Sequence, residues 1–199
     1  IIDGVTTNPS LLSKEGQNTK EVLQDICSIV KGDVSIEVVK KDPNEVYKQA
    51  KEIAALAPNV TVKIPFQEDY LPVISKLVKE KVSINLTLIF SLMQALIGAK
   101  LGVKFISPFI GRWDDIDIDG MQLIAEIREM LDTYGYQSEI IAASIRHMMH
   151  WHESVLLGAD IATVPPKLLD QAMKHPLTQQ GIAKFDADWA KLGKKELLS

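Results

Sequence analysis

Residues 59–67, "NVTVKIPFQ", put a lysine inside a short run of β-branched residues. Val60, Val62 and Ile64 predict a strand that is buried on both faces, and Pro65 ends it because proline cannot donate to a sheet. Lysine is almost never fully buried without a partner or a chemical task. Burial disfavours the ammonium, so a lysine held there loses its proton more easily and becomes a nucleophile. Lys63 is therefore either a reactive amine or an ordinary lysine of an edge strand.

The composition limits what the chain can be. Its 199 residues are 46% hydrophobic, which is enough for one full core, and we predict a single domain over residues 1–199. A net charge of −4 gives no electrostatic support for a nucleic-acid or anionic-membrane partner. The one cysteine, Cys27, excludes an internal disulfide and fits a reducing compartment. Because no apolar run approaches the roughly 20 residues of a membrane span, we expect a cytoplasmic protein.

Short apolar runs alternate with longer amphipathic stretches, a pattern that predicts parallel strands joined by helices. The predicted strands are residues 4–7, 34–38, 60–64, 82–88, 103–107, 139–143 and 161–164, and further helix is predicted over 176–198. Such an α/β chain is either an open doubly wound sheet or most of an eight-stranded TIM (β/α)8 barrel. The segment after the first strand, "TTNPSLL", is not a glycine-rich phosphate loop, which favours the barrel.

A barrel predicts polar side chains near the carboxyl ends of many strands. The chain has them at Thr7, Asn8, Glu37, Lys63, Asn85, Thr87, Ser107, Ser144 and Arg146. Residues two apart in a strand face the same side, so Asn85 and Thr87 can point inward together. Any single buried hydroxyl is ordinarily just hydrogen-bonded to backbone. The repetition on successive strands is what indicates a site.

These residue types suit addition to a carbonyl group. A lysine amine shielded from water forms a Schiff base with a ketone. The Schiff base is an electron sink that allows a neighbouring C–C bond to be cleaved. Glu37 can move protons through a water, and the hydroxyls with the Asn85 amide can hold the hydroxyl groups of a sugar. The guanidinium groups of Arg112 and Arg146 suit a phosphate dianion. The alternative for either arginine is an ion pair on a solvated loop.

Several motifs carry a family resemblance that spans the chain in order. They are "DGVTTNPSLL" (3–12), "VKIP" (62–65), "INLTLIFS" (84–91), "ISPFIGR" (106–112), "AASIRH" (142–147), "GADIATVP" (158–165) and "FDADW" (185–189). Together they resemble transaldolase, and most closely its small single-barrel branch, which also contains fructose-6-phosphate aldolase.

The resemblance implies a role for each site residue. Lys63 is the Schiff-base lysine, Glu37 the acid/base that works through a water, and Thr87 its positioning hydroxyl. Asn8, Asn85 and Ser107 contact the donor sugar, and Arg112, Ser144 and Arg146 bind its phosphate. It also implies sugar-phosphate partners, no metal or organic cofactor, and a homo-oligomer, such as a decameric ring, in which the C-terminal helix reaches a neighbour.

Two positions bear on the reaction within that family. The aldolase branch typically carries glutamine where Glu37 stands and tyrosine where Phe109 stands. Phenylalanine has no hydroxyl to help water or a proton reach the bound three-carbon fragment, so Glu37 and Phe109 favour transfer over simple cleavage. Fructose-6-phosphate aldolase and a non-catalytic sugar-phosphate-binding barrel remain the alternatives.

One element of the family pattern is not found in these residues. The family begins with a strand carrying "LDTA" or similar, whose aspartate takes the sugar hydroxyl proton as the C–C bond breaks. Asp3 is not that residue, because it precedes the "GVTTN" strand on the same segment. We expect the first βα unit to lie outside the 199 residues; the alternative is a relative disabled by its loss.

Three further patterns are interpreted as structural. His147, His150 and His152 suggest a metal, but 152 does not share a helix face with the other two and no carboxylate partner is evident, so no metal is predicted. The aspartates of "WDDIDIDG" (113–120) do not meet the EF-hand register and predict a solvated loop. "KLGKKELL" (191–198) is interpreted as an exposed tail.

Overall fold

The computed structural model describes residues 2–12 and 18–193 of the chain. Its strands are β1 (Val5–Thr6), β2 (Val34–Glu37), β3 (Val60–Pro65), β4 (Ile84–Ile89), β5 (Phe105–Pro108), β6 (Glu139–Ala142) and β7 (Ile161–Ala162). Its α-helices are α1 (Pro9–Leu12), α2 (Thr19–Ile29), α3 (Pro43–Ala54), α4 (Leu71–Lys79), α5 (Leu92–Leu101), α6 (Gly111–Asp114), α7 (Met121–Tyr134), α8 (Met148–Leu156), α9 (Pro166–Ala172) and α10 (Pro176–Lys191). A 3-10 turn at Glu68–Tyr70 precedes α4.

All seven strands are parallel and follow one another across the sheet in chain order. Each predicted strand is present, with ends shifted by at most two residues. Local chemistry sets several boundaries. Asp42 caps α3 by accepting hydrogen bonds from the backbone amides of Asn44 and Glu45, and Gly102 ends α5 in the left-handed conformation, at φ 77°.

The two faces of the sheet differ in polarity because strand side chains alternate. On one face Ile64 of β3 pairs with Leu86 of β4, and both are completely buried. On the other face Lys63 pairs with Glu37 of β2 and with Asn85 of β4. The apolar face packs against the surrounding helices, so the polar face is the inside of the curve.

Contacts between strands that are not neighbours show how strongly the sheet curls. Asn85 of β4 reaches Ser35 of β2, with 3.1 Å between Nδ2 and Oγ. The hydroxyls of Thr6 and Thr163, from the first strand and just after the last, lie 2.6 Å apart. A flat sheet would hold these side chains far apart, so the inner face closes on itself. The predicted α/β barrel class is confirmed as a curled parallel sheet with helices between its strands.

The described residues form two compact units, one up to Thr163 and one from Val164. The second unit holds α9 and α10, and α10 contains no buried residue. The predicted C-terminal helix is present up to Lys191 and was wrong at Leu192 and Gly193, which form a turn. The rest of that prediction and most of the proposed exposed tail lie in residues 194–199, outside the described residues. Every helix in the described ranges is too short or too polar to cross a bilayer.

Candidate active site

Lys63 lies inside the curled sheet beside a carboxylate. The residue is 6% exposed, and its Nζ is 3.0 Å from Oε2 of Glu37 and 3.4 Å from the carbonyl oxygen of Thr7. Glu37 and Lys63 are register partners on β2 and β3, so both side chains must point to the same face. The predicted burial of Lys63 is therefore present. The Glu37 carboxylate is thus in direct contact with the nitrogen.

Asn85 anchors a chain of buried polar groups next to this pair. Its Oδ1 accepts a hydrogen bond from the Ser107 hydroxyl at 2.7 Å, and its Nδ2 donates to Ser35 at 3.1 Å. All three residues are at most 2% exposed. Because both ends of the amide are bonded, its orientation is fixed. Ser35 was not among the predicted site residues, because a lone serine in a strand gives no functional signal.

Thr87 is buried in an unusual backbone setting. Two residues of β4, Thr87 and Leu88, face the single residue Ser107 of β5, which makes a β-bulge. Leu88 has φ 58°, a left-handed conformation that is costly for a branched side chain. No described residue bonds to Oγ1 of Thr87, although that atom is fully buried. A buried hydroxyl without a partner, held by a strained bulge, is typical of a functional position.

Phe109 connects the lysine with Arg112. Lys63 Nζ lies 5.9 Å from the centroid of the Phe109 ring, and Arg112 Cζ lies 5.3 Å from it. The two cationic groups are therefore at most about 11 Å apart, the sum of those distances. Arg112 is exposed, and no carboxylate of the described residues lies within ion-pair distance of it. Its guanidinium is free to meet an anionic ligand.

Arg146, the second predicted phosphate ligand, is already paired. Its Nη2 lies 2.7 Å from Oδ2 of Asp115, and its Nη1 contacts Oδ1 of the same carboxylate. The guanidinium holds the pKa of Asp115 below its ordinary value, while the carboxylate raises the pKa of Arg146. The side chain of Arg146 crosses Gly111, where a Cβ would lie 2.9 Å from Nε and 2.1 Å from the carbonyl oxygen of Ser144. The ion pair expected as the alternative role of Arg146 is thus present.

The histidines near α8 are bonded to Asp114. Within the described ranges, Asp114, His147 and His150 form the one group of three metal-capable side chains, with ligand atoms within 4.8 Å of one another. The Nδ1 atom of each ring accepts a backbone N–H, from His150 and Arg146 respectively. Nε2 of His150 lies 2.7 Å from Asp114 Oδ2, and this contact anchors α8 to α6. The sequence showed no carboxylate partner for these histidines; the structure supplies one in Asp114.

The predicted residues form two groups within one sheet. Glu37, Lys63, Asn85, Thr87 and Ser107 lie on the inner face, and Phe109, Arg112, Ser144 and Arg146 follow β5 and β6. Asn8 lies two residues after the end of β1 and is half-buried. The aspartates predicted to be only a solvated loop need a correction: they are exposed, but Asp114 and Asp115 hold His150 and Arg146. Sequence separations of 31 residues and more hid these contacts.

A family model and several curated proteins match this chain over most of its length. Residues 1–196 match the family model described as transaldolase/fructose-6-phosphate aldolase. A probable transaldolase of Dehalococcoides mccartyi is 53% identical over 196 residues, which cover 98% of this chain and 91% of that protein. A probable transaldolase of Methanococcus maripaludis is 50% identical over 189 residues, 95% of this chain and 88% of that protein.

A solved structure shares the fold. The crystal structure of inosine 5′-monophosphate dehydrogenase from Legionella pneumophila superposes with a TM-score of 0.58 at 12% identity, covering 84% of this chain and 58% of that one. At this identity the likeness concerns the fold alone. The family match over nearly the whole chain and the half-identical relatives carry the assignment: the chain belongs to the transaldolase/fructose-6-phosphate aldolase family.

Proposed function

We propose that the protein is a transaldolase, which moves a dihydroxyacetone unit from a ketose phosphate to an aldose phosphate through a Schiff base on Lys63. Fructose 6-phosphate and sedoheptulose 7-phosphate are the proposed donors. The observation that carries the proposal is the buried lysine amine inside the sheet with the Glu37 carboxylate 3.0 Å from its nitrogen. The chain's family and the names of its relatives support the same activity.

The proposed reaction begins at the lysine nitrogen. Lys63 loses a proton to Glu37 and adds to the ketone carbon; Glu37, through a water, then returns a proton to the departing hydroxyl, and one water leaves as the iminium forms. The C4 hydroxyl gives its proton to a base, a role that the family pattern assigns to the aspartate of its first strand. The bond between C3 and C4 breaks, its electrons form the enamine as the C=N pair returns to nitrogen, and the aldose phosphate departs. The enamine attacks the acceptor aldehyde, whose oxygen takes the proton back from that base, and water releases the new ketose and the free lysine. Thr87 is proposed to hold the water that serves Glu37.

The phosphate is proposed to bind at Arg112, Ser144 and Arg146. Arg112 is exposed and stacks on the ring that also faces Lys63. The span of at most about 11 Å between Nζ and Cζ suits a donor whose carbonyl carbon is at Lys63 and whose phosphate is at the arginine. Guanidinium groups bind phosphate through paired N–H donors. Asn8, Asn85 and Ser107 are proposed to contact the sugar hydroxyls.

Phe109 favours transfer over simple cleavage. Its ring faces both cations, 5.9 Å from Lys63 Nζ and 5.3 Å from Arg112 Cζ, and it brings no hydroxyl that could deliver a proton to the enamine. The three-carbon fragment should therefore remain on Lys63 until an aldehyde arrives. Fructose-6-phosphate aldolase is the second candidate, and it differs in needing no acceptor.

The test is conversion of fructose 6-phosphate with and without erythrose 4-phosphate, followed by mass spectrometry of the sugar phosphates. We expect sedoheptulose 7-phosphate and multiple turnovers of glyceraldehyde 3-phosphate only when the acceptor is present, and at most one glyceraldehyde 3-phosphate per Lys63 without it. Lys63→Met should abolish conversion. Lys104→Met is the matched control, because Lys104 also has a carboxylate partner, Asp33 at 2.7 Å, but lies before β5 at the amino end of the sheet.

Each other outcome argues against the proposal in a different way. Glyceraldehyde 3-phosphate released at the same rate without acceptor would identify an aldolase. Sugar phosphate that binds without turnover would identify a non-catalytic binding barrel. Full activity in the Lys63→Met variant would exclude the Schiff base.

We further propose that the protein acts as a homo-oligomer, with α10 in the interface. Leu177, Ile182 and Phe185 of that helix are each more than half exposed. Exposed apolar side chains on one helix are typical of association surfaces. Light scattering should give a mass several times that of one chain, and Phe185→Glu should lower it.

A further inference from the structure

Asp115 is bound to Arg146, a residue that the proposed function assigns to the substrate phosphate. Asp115 contacts both terminal nitrogens of Arg146, and the Nη2–Oδ2 distance is 2.7 Å. A guanidinium meets a phosphate best through two parallel N–H groups. The edge that would serve this purpose is therefore closed by a side chain of the protein itself.

One side of the Arg146 side chain lies against backbone. A Cβ on Gly111 would lie 2.9 Å from Nε and 3.0 Å from Cγ of Arg146, so the glycine lies beside the arginine stem, while 44% of the side chain stays exposed. A phosphate that binds both terminal nitrogens of Arg146 therefore displaces at least one of the Asp115 contacts.

Helix α6, which begins at Gly111, carries a second cationic side chain. Arg112 directly follows Gly111 and has no ion-pair partner among residues 2–12 and 18–193. Its charge also contributes to lowering the pKa of Asp115. The hydrogen bond that His150 Nε2 donates to the Asp114 carboxylate holds this segment against the start of α8. A phosphate that first meets Arg112 therefore arrives beside the Arg146–Asp115 pair.

We propose that Asp115 is a specificity-determining residue that competes with the donor's phosphate for Arg146. The proposal rests on the proposed function, because it takes the phosphate to bind at Arg112 and Arg146. A phosphate dianion carries more charge than one carboxylate and also engages Arg112, so it displaces Asp115. A sugar without phosphate brings no such charge and does not engage Arg112, so the Arg146–Asp115 ion pair stays intact. Asp115 thereby weakens phosphate binding in general and eases release of the phosphorylated product.

The first test measures binding without catalysis. Inorganic phosphate is titrated into the wild-type protein, Asp115→Asn and Asp117→Asn, with 31P NMR line broadening as the readout. Asp117 is the matched control, since it is an exposed aspartate of the same loop with no ion pair among the described residues, and asparagine suits its left-handed backbone at φ 58°. We expect Asp115→Asn to tighten phosphate binding by about two- to five-fold, the size typical of an exposed ion pair, and Asp117→Asn to leave it unchanged.

Arg146→Ala identifies the site of the gain. In that background Asp115→Asn should not change phosphate binding, because the arginine for which Asp115 and phosphate compete has been removed. Weaker phosphate binding by Asp115→Asn would mean that the carboxylate organises Arg146 for phosphate, and equal gains in both aspartate variants would mean a general charge effect. Either result, or no change at all, would overturn the proposal.

The second test uses turnover. Asp115→Asn should lower KM for fructose 6-phosphate by the same two- to five-fold and leave kcat/KM for unphosphorylated fructose unchanged. An unchanged KM for fructose 6-phosphate would count against the competition. If the protein turns over neither sugar, the proposed function fails, while the phosphate titration still decides whether Asp115 competes for Arg146.

Discussion

Replacing Thr87 with valine should make the protein more stable and less active at the same time. Thr87 is completely buried, and its Oγ1 has no partner among the described residues. A buried polar group left unpaired costs about 1–3 kcal/mol. Valine keeps the shape of threonine and removes that cost. We expect the free energy of unfolding to rise by about 1 kcal/mol, the low end of that range, and Tm to rise by about 2–4 °C.

Thr61 supplies the matched control on the neighbouring strand. It is also completely buried, but its hydroxyl lies 2.8 Å from Asp33 Oδ1 and 2.9 Å from Ser83 Oγ. Thr61→Val should therefore destabilise the protein by about 1–2 kcal/mol, because it removes hydrogen bonds to Ser83 and to the Asp33 carboxylate. The two variants make the same chemical change with opposite expected signs.

Urea denaturation followed by circular dichroism measures both variants, and initial rates with a saturating donor and acceptor give kcat. Thr87→Val should lower kcat by about 10- to 100-fold, part of the 10²–10⁴-fold that a positioned proton transfer contributes. A loss of stability in Thr87→Val equal to that in Thr61→Val would show that the Thr87 hydroxyl is bonded in the folded protein. An unchanged kcat would remove Thr87 from the proposed mechanism.

Three further substitutions test the site. Glu37→Gln keeps the shape of the side chain but cannot take the lysine proton, so kcat should fall about 10²–10⁴-fold; a loss of less than threefold would exclude Glu37 as the acid/base. Phe109→Tyr should release glyceraldehyde 3-phosphate from fructose 6-phosphate without an acceptor, and a variant that still needs the acceptor would contradict the role given to the ring. Gly111→Ala should destabilise the protein by about 1–3 kcal/mol and raise KM for the phosphorylated donor, because its Cβ would meet backbone and Arg146; Gly181→Ala, with open space around its Cβ, should do neither.

The strands were predictable because their chemistry is local. β-branched residues alternate with polar ones in β3, and such a pattern needs no knowledge of the rest of the chain. Lys63 and Glu37 were recognised for the same reason: a charged residue in an apolar run is visible in the sequence. Their contact at 3.0 Å follows from the strand register, which sequence alone does not determine.

The bulge in β4 was not predictable from the sequence. It places Leu88 at φ 58°, a conformation that leucine rarely adopts and that only the surrounding structure can enforce. Its effect is to end the regular alternation just after Thr87. The unpaired hydroxyl of Thr87 was hidden for a related reason, since hydrogen-bond partners depend on side chains from several strands.

The contacts of the aspartates in the loop after β5 were also not predictable from the sequence. These aspartates look like an ordinary solvated run, and they are exposed. Their partners lie 31 and 36 positions further along the chain, Arg146 on the following βα connection and His150 in the first turn of α8. Only the parallel arrangement of β5 and β6 brings the two connections together.

Borohydride trapping tests the central claim most directly. The chain is incubated with fructose 6-phosphate, reduced, digested and analysed by peptide mass spectrometry. We expect an adduct on Lys63, including the three-carbon adduct that marks C–C cleavage, and none on Lys104, which is paired with Asp33 at the amino end of the sheet. A chain that binds the sugar phosphate but carries no adduct on Lys63 would contradict the Schiff-base enzyme and leave a sugar-phosphate-binding barrel.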